Sequence, residues 1–452
     1  MNNKLFTYTN IILLHVLIAF AVFAVPFLSK IYGLLIPFFG TVLVLNTQNK
    51  NNEALLVAAY VVGSEVFLRM TGGNIAHEIA KYEVMYFLLL GMLYKGFSYK
   101  SIIYIFFILL LLPGVYIGAN VLGFDVNVRK AILFNILGEV TLFVSAVYCF
   151  GKQITLVQIE YILKSLALPI VSVLMYLFLY TPSIKDVVTG TQSNFETSGG
   201  FGPNQVSTVL GLGMFCFFAF LVLFSKTRKL QLIHMILLVV ASFRGIVTFS
   251  RGGVFTALAM IAVLTGVLYW YANAKTKNLI ILLSVCAVLI GGFVWTYSVV
   301  QTGGMIENRY ANKDARGREK VDRLGGREEI AGTEIQMFME NPIWGIGVGK
   351  NKEYREQMTG IVAASHNEIT RLLAEHGTFG IFALLILLLT PLITYFTNRE
   401  HVFLIPFFFF WLLTINHAAM RLAAPGFIYA LTLLKVHFKD ESSTVIPREP
   451  TE

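Results

Sequence analysis

Charged residues are scarce in this sequence, and they are spread thinly between long apolar runs. Asp, Glu, Lys and Arg make up 13% of the 452 residues, whereas apolar residues make up 56%. Soluble globular domains carry about 25% charged residues, so this composition excludes a soluble class. The lipid bilayer is therefore the expected solvent for most of the chain.

Cysteine is equally scarce. The three cysteines, Cys149, Cys216 and Cys286, lie inside apolar runs and lack the spacing of metal ligands. We interpret them as small core residues, which carry no information about redox compartment. A cleaved signal peptide is not expected either, because no small-residue cleavage site followed by a soluble stretch ends the first apolar run.

Long apolar runs, by contrast, recur along the whole chain. Because a spanning helix needs about 20 apolar residues, the sequence predicts an all-α polytopic membrane protein of about 12–14 transmembrane helices. The runs at 83–95 and 423–437 are short for a span and also fit re-entrant or tilted helices. The predicted spans are 9–28, 30–46, 54–69, 83–95, 101–118, 131–150, 158–180, 205–225, 230–249, 253–272, 278–297, 378–397, 402–418 and 423–437.

Basic residues fall in alternate short loops, which predicts that those loops are cytoplasmic. This distribution explains the formal net charge of +9 without a nucleic-acid partner, because the basic residues form no stripe along one helix. The N-terminus is then cytoplasmic, and the loops at 70–82, 119–130, 181–204, 250–252 and 298–377 lie outside. The predicted division of the chain is an N-terminal transmembrane bundle at 1–180, further transmembrane helices at 181–297, the large outer loop at 298–377, C-terminal transmembrane helices at 378–437 and a cytoplasmic tail at 438–452.

The outer loop 298–377 is the long polar stretch of the chain, and such loops usually carry function. Its part from Arg309 to Arg327 holds seven basic and three acidic residues, which fits either a solvated flexible stretch or an anion-binding cluster. An amphipathic helix is predicted over 328–340, ending before Pro342. The spaced glycines within 343–350 permit close approach to a ligand or to another helix.

His366 lies near the end of this loop. Ser365 is predicted to cap a helix that starts at His366. Because a helix N-terminus disfavours a protonated imidazole, a neutral histidine that can accept a proton is expected there. The alternative is an ordinary polar surface residue. Similarly, Asn204 is predicted to cap the helix that follows the turn at 198–203.

Two arginines lie at the outer edge of the predicted spans. On a continuous helix Arg244 and Arg251 would stack on one face, with Arg244 about 10 Å deeper. A buried arginine needs a partner, and the intramembrane acids Glu65 and Glu139 are candidates. The alternatives are a structural ion pair for Arg244 and a headgroup anchor for Arg251. Two arginines that face a basic loop suit a diphosphate better than a carboxylate.

Four sequence blocks occur in an order that resembles the O-antigen ligase and O-antigen polymerase superfamily. They are Gly200-Phe201-Gly202-Pro203-Asn204; Ser250-Arg251-Gly252-Gly253; Gly326-Arg327 followed by Asn341-Pro342-Ile343-Trp344-Gly345-Ile346-Gly347; and His366-Asn367 followed after nine residues by Gly377 and then Gly380. The resemblance covers roughly residues 195–395, and the first 180 residues match only as a set of spans. An aromatic residue usual in the family after the loop arginine is missing from 328–332, so the choice between Arg323 and Arg327 stays open.

The resemblance implies a metal-independent membrane glycosyltransferase of GT-C-like architecture without a cofactor, in the bacterial inner membrane and with a periplasmic active site. The donor would be an undecaprenyl-diphosphate-linked glycan. His366 would activate the acceptor hydroxyl as a general base, and Arg251 and Arg327, with Arg244, would bind the diphosphate. Supporting residues would be Asn204, Ser250, Asn367, Gly377 and Gly380.

The acceptor separates the members of this superfamily. It is a lipid A core sugar for a ligase, a glycan repeat for a polymerase, or a protein hydroxyl for an O-oligosaccharyltransferase. A ligase is slightly favoured here, ahead of a polymerase. Two rival classes remain: a glycan transporter or flippase, which predicts internal repeats and midplane acids, and a structural membrane subunit, which leaves the His366 block unexplained.

Overall fold

The computed structural model describes residues 7–123, 126–320, 326–360 and 362–438. Within these residues the chain forms eighteen α-helices and one pair of three-residue strands, β1 Gln153–Thr155 and β2 Lys435–His437. The helices are α1 Tyr8–Ala24, α2 Phe27–Thr47, α3 Glu53–Met70, α4 Ile79–Lys95, α5 Ile102–Val121, α6 Val128–Cys149, α7 Leu156–Tyr180, α8 Pro203–Ala219, α9 Arg228–Val247, α10 Arg251–Tyr271, α11 Ala274–Gln301, α12 Met305–Tyr310, α13 Arg327–Glu340, α14 Asn351–Thr359, α15 Glu368–His376, α16 Thr378–Thr397, α17 Leu404–Ile415 and α18 Ala424–Leu431.

In the described residues, nine helical segments are long and apolar enough to cross a membrane. They are α2, α5 with the turn before it, α6, α7, α8 with its extension to Phe224, α9, α10, α11 and α16. The apolar helices α1 and α17 are shorter. The prediction of an all-α polytopic membrane protein is confirmed, although fewer helices reach full membrane length than the predicted 12–14.

Helices α3 and α11 show how differently apolar helices are used in this bundle. Helix α3 is buried on all sides, and it also carries Glu65 and Arg69, which form an ion pair of 2.7 Å. Helix α11 is equally apolar, yet Ile280, Val294 and Ser298 are its only buried residues. A helix that is apolar all round belongs either in a core or in lipid. Here α3 is the core helix and α11 faces the lipid.

The predicted span 423–437 is not a membrane-length helix. Helix α18 has eight residues, which is about 12 Å of helical rise. The strand β2 follows it and pairs in parallel with β1, with Lys435 opposite Gln153. Helix α18 therefore starts partway through the bundle, and the segment 416–423 before it contacts the polar residues Glu368 and Ser365, which are described below.

The stacking of Arg244 and Arg251 on one helix is a wrong prediction. Helix α9 ends at Val247, and α10 begins at Arg251. Phe249 between them has a φ of 60°, in the left-handed region, and this conformation breaks a helix at a residue with a β-carbon. The two arginines therefore belong to different helices.

Neither predicted partner of Arg244 is bound to it. Glu65 pairs with Arg69, and Glu139 pairs with Arg371 at 2.5 Å. The Arg244 side chain is buried, donates to the carbonyl oxygen of Thr181 at 3.1 Å and lies over the ring of Phe178. Its position in the last turn of α9 directs it to the segment after α7 and away from both acids.

Candidate active site

The end of the bundle that carries residues 298–377 is called the loop face. A buried ion pair organises this face. Arg355 of α14 and Glu334 of α13 are 2.7 Å apart and fully buried. The Arg355 guanidinium also donates to the Thr333 hydroxyl at 3.0 Å and to the Ala363 carbonyl at 2.5 Å. This pair therefore joins α13 and α14 to the segment that leads to His366.

The predicted cap at Ser365 is wrong, because Asn367 caps α15 instead. The Asn367 side-chain oxygen accepts from the backbone N–H groups of Ile369 at 2.9 Å and Thr370 at 3.4 Å. The Ser365 hydroxyl donates to the Glu334 carboxylate at 3.2 Å. His366 is therefore the residue before the cap and lies outside the first turn.

The environment of His366 keeps its imidazole neutral. Burial and the positive charges of Arg327, Arg421 and Arg355 lower the pKa of His366 to about 4. The ring is half-buried and makes no hydrogen bond within the described part of the chain. A neutral ring nitrogen is therefore available to a ligand. Both burial and the surrounding arginines keep the imidazole neutral.

Three arginines form a cluster beside His366, which we call the arginine cluster: Arg251, Arg309 and Arg327. Burial and the charge of Arg251 lower the pKa of Arg327, and burial with the charges of both neighbours lowers that of Arg309. The Nη1 atom of Arg251 donates to the side-chain oxygen of Asn312 at 2.8 Å. Among the described residues, Arg309 and Arg327 form no ion pair with a carboxylate. This part of the loop face thus concentrates positive charge.

Two of the sequence blocks meet directly below this cluster. The Ser250 hydroxyl donates to the Asn204 side-chain oxygen at 2.7 Å, and the Ser207 hydroxyl donates to the Ser250 carbonyl at 2.7 Å. Asn204 does not cap α8, because Gly202 is at the cap position and Asn204 already lies inside the helix. A β-carbon on Gly253 would lie 2.0 Å from the Ser207 carbonyl oxygen. Glycine there lets α8 and α10 pack closely enough for the Asn204–Ser250 contact.

The glycines of the outer loop serve packing between elements. A β-carbon on Gly347 would lie 2.6 Å from the backbone nitrogen of Gly118 in α5, and one on Gly345 would lie 2.5 Å from the carbonyl carbon of Glu375. Gly377, with a φ of 59°, turns the chain from α15 into α16. A β-carbon on Gly380 would lie 2.2 Å from the Leu372 carbonyl oxygen. Of the two alternatives left open by the sequence, close approach to another helix is the one observed.

His417 was missed in the sequence analysis, although it lies against the Ser250–Gly253 block. A β-carbon on Gly252 would lie 2.3 Å from the Cδ2 atom of His417. The charges of Arg327 and His366 act on the His417 ring. His417 is therefore close to both His366 and the arginine cluster.

Arg421 was missed as well. Its guanidinium donates to the Ser365 carbonyl oxygen at 3.0 Å and lies 3.9 Å from the centroid of the Phe134 ring. Burial lowers the pKa of Arg421 to about 10. The available sequence signal was weak: three polar residues, Asn416, His417 and Arg421, between two apolar runs. The structure shows that this connection forms part of the wall around His366.

Below His366, a second buried ion cluster anchors α15. Arg371 contacts the carboxylates of Glu139, Glu368 and Glu375. The second oxygen of Glu368 accepts from the backbone N–H of Met420 at 3.0 Å. Helix α15 is thus joined to α6 and to the segment that carries His417 and Arg421.

One predicted site residue, Arg244, does not join the cluster. The hydrogen bond and ring contacts of Arg244 are with Thr181, Phe178 and Phe243, and none of them is with a residue of the arginine cluster. Arg323 lies outside the described residues. The loop arginine found beside His366 in the described structure is Arg327.

Part of the chain is similar to a known protein family. Residues 236–385 match the family model described as O-antigen ligase. The match includes Arg251, Arg309, Arg327 and His366. No curated protein matches the chain. The family carries out membrane glycan transfer of the ligase or polymerase type on lipid-linked glycan substrates.

Proposed function

We propose that this protein, whose residues 236–385 match the O-antigen ligase family model, transfers a glycan from an undecaprenyl-diphosphate-linked donor to an acceptor hydroxyl. The reaction takes place at the periplasmic face of the bacterial inner membrane. The observation that carries this proposal is the neutral His366 beside a cluster of arginines. Such a transfer requires a base and an anion-binding site close to each other.

The arginine cluster binds the diphosphate of the donor. Guanidinium groups match phosphate oxygens with paired hydrogen bonds. They also stabilise the negative charge that develops on the departing diphosphate. Arg309 and Arg327 have no carboxylate partner among the described residues. A bound anion therefore stabilises these two side chains most. We further propose that this charge stabilisation makes the reaction independent of a metal ion.

His366 removes the proton of the acceptor hydroxyl. The acceptor oxygen forms a bond to the anomeric carbon of the donor sugar while the bond from that carbon to the phosphate oxygen breaks. The electron pair of the broken bond leaves with undecaprenyl diphosphate, and the hydroxyl proton moves to the imidazole. Donor binding assists this step, because the bound anion offsets the charge of Arg327 and raises the pKa of His366 towards its ordinary value.

The acceptor we propose is a sugar of the lipid A core, which makes the protein an O-antigen ligase. A polymerase would use a glycan repeat as acceptor, and a protein O-oligosaccharyltransferase would use a Ser or Thr hydroxyl. Membrane lipids surround the site in each case, and no cofactor is needed. The lipid-linked glycan that accumulates when the enzyme is inactive distinguishes a ligase from a polymerase. Stored polymer indicates a ligase, and stored single repeats indicate a polymerase.

The decisive test replaces His366 with Ala and measures surface glycan and lipid-linked glycan in the same cells. We expect loss of surface glycan, normal abundance of the protein, and accumulation of the lipid-linked donor on the periplasmic leaflet. Normal surface glycan at normal protein abundance would refute the enzymatic proposal. Donor stranded on the cytoplasmic leaflet would indicate a flippase instead.

A further inference from the structure

A polar cleft of about 480 Å³ opens beside the arginine cluster on the loop face. One wall is the segment 189–196, which follows α7, and the other is formed by residues 314, 315 and 320 of the outer loop. Its volume lies within the range of about 300–1,000 Å³ that is usual for small-molecule sites. The diphosphate-binding and base residues proposed above do not line it, so the cleft is a separate site.

The first wall is fixed to the break between α9 and α10. The backbone N–H of Asn194 donates to the Thr248 carbonyl oxygen at 3.0 Å. The Thr197 hydroxyl donates to the Val247 carbonyl oxygen at 2.6 Å. Arg251 lies three residues after Thr248. The position of the first wall is therefore coupled to the start of α10, where Arg251 lies.

The second wall is bonded to Arg251 through Asn312. The backbone N–H of Lys320 donates to the Asn312 carbonyl oxygen at 3.0 Å, and that of Asp314 donates to the Arg318 carbonyl oxygen at 2.8 Å. These bonds close residues 312–320 into a compact turn. The Asn312 side chain accepts from Arg251. Arg251 is thus bonded to the second wall through Asn312, and the first wall is bonded to Thr248, three residues before Arg251. A ligand bound to Arg251 through a phosphate therefore has the cleft near it.

The side chains of the cleft suit a sugar better than a lipid or an anion. Gln192 and Ser193 supply amide and hydroxyl groups, which both donate and accept hydrogen bonds as sugar hydroxyls do. Phe195, 59% exposed, offers an apolar ring face on which the C–H face of a sugar can stack. Glu196 and Lys320 carry opposite charges, and the Asp314 carboxylate is paired with Arg318 at 2.7 Å, so the lining has no excess of positive charge that would select a further phosphate.

We propose that this cleft binds the sugar residues of the donor glycan that follow the first, diphosphate-linked sugar. This inference rests on the proposed function, because it assumes a donor whose diphosphate is bound at Arg251. The first sugar remains at His366, where its anomeric carbon reacts. The later sugars extend into the cleft, so the enzyme distinguishes long donors from short ones without any change at the reacting centre.

The test uses the full-length protein and two polyprenyl-diphosphate donors, one with a single sugar and one with several repeat units. Phe195→Ala should raise the KM for the long donor about fivefold, as expected for the loss of one good contact. The KM for the single-sugar donor, the KM for the acceptor and kcat should stay within about twofold. Phe195→Tyr, which keeps the ring face, should restore the wild-type KM.

Phe97→Ala is the matched control. Phe97 is 61% exposed, nearly the same as Phe195, and lies in the connection after α4, outside the cleft. An unchanged KM for the long donor in Phe195→Ala would overturn the inference. So would an equal increase with both donors, or an increase in the KM for the acceptor alone.

A binding measurement separates this inference from the proposed function. The free oligosaccharide of several repeat units is titrated into wild-type protein and into Phe195→Ala, without donor lipid or acceptor. We expect about fivefold weaker binding to the variant. Equal affinity would refute the cleft site even if the wild type transfers glycan. Failure of the wild type to transfer glycan from either donor would refute the proposed function. The binding measurement would still test whether the cleft binds the oligosaccharide.

Discussion

The loop face holds two kinds of buried arginine, and the difference between them is their partners. Arg355 and Arg371 are almost completely buried, and each contacts at least one carboxylate. Arg309 and Arg327 are half-buried and have no carboxylate partner within the described residues. Breaking a buried ion pair destabilises a fold strongly, whereas positive charges held together without acids cost stability and favour an anion. We infer that the paired arginines maintain the site and the clustered ones bind substrate.

The largest expected effect concerns a paired arginine. Arg355→Met leaves Glu334 buried without its ion partner, which should cost about 3–5 kcal/mol of folding free energy. The midpoint of thermal unfolding in detergent micelles should fall sharply, or folded protein should be lost. Arg327→Met is the matched control and should leave the midpoint close to wild type. Equal destabilisation by both variants would remove the distinction drawn between the two kinds of arginine.

The second prediction concerns a clustered arginine. Arg327→Met should lower kcat/KM about 10²–10³-fold at normal protein abundance, the range seen when one transition-state donor is removed. Arg327→Lys should recover only part of this loss, because an ammonium lacks the planar fork of guanidinium. Glycan transfer by purified protein in micelles measures both. Wild-type rates in either variant would contradict diphosphate binding by Arg327.

The third prediction is a pH dependence that follows from the same cluster. The pKa of His366 is about 4 in the free protein, and only the neutral form can act as a base, so activity is lost as pH falls through this pKa. A bound diphosphate offsets Arg327 and raises the pKa. The acid limb of kcat/KM, which reports the free enzyme, should therefore lie at lower pH than the acid limb of kcat. An acid limb of kcat at equal or lower pH would argue against this coupling.

A smaller effect is expected at the cap of α15. Asn367→Ala removes the side-chain acceptor for the N–H groups of Ile369 and Thr370, which should cost about 1 kcal/mol. Asn367→Ser keeps a capping oxygen and should stay near wild-type stability. Ser365→Ala should leave the cap of α15 intact, because the Ser365 hydroxyl is bound to Glu334 and does not accept from the first N–H groups of this helix. Unfolding midpoints of the three variants provide the comparison.

The smallest expected effect is that of metal removal. If the arginines supply the charge that stabilises the departing diphosphate, a chelator should leave the transfer rate unchanged. Transfer is measured with purified protein before and after chelation, with added Mg²⁺ as the reversal control. Inhibition that Mg²⁺ reverses would show that arginines alone are insufficient.

Local sequence predicted much of the helical framework. Apolar runs of membrane length gave the all-α polytopic class, and the helix predicted over 328–340 is present as Arg327–Glu340. Both features depend on residues that are close in the chain. The structure of the short apolar run at 423–437 was harder to predict. Its length fits a short membrane span as well as a short helix followed by a strand.

The capping residues and the partners of charged groups were predicted poorly. Ser365 and Asn204 each have the right chemistry to cap a helix, but contacts with distant residues determine their roles: Ser365 binds Glu334, and Asn204 binds Ser250. His417 and Arg421 carried little sequence signal. Their importance depends on a fold that places the connection after α17 against His366.

By itself, the sequence determined that the chain lies in a membrane as a helical bundle, and its four spaced blocks indicated the family. Only the tertiary structure showed which arginines are paired and which are gathered beside His366. The physical reason is that the partners of these arginines are far away in the sequence. Arg371 contacts Glu139, 232 residues away, and Arg251 contacts Asn312, 61 residues away. Periodicity and composition report local order, whereas the balance of charge in a buried site depends on contacts that form only when the whole bundle is assembled.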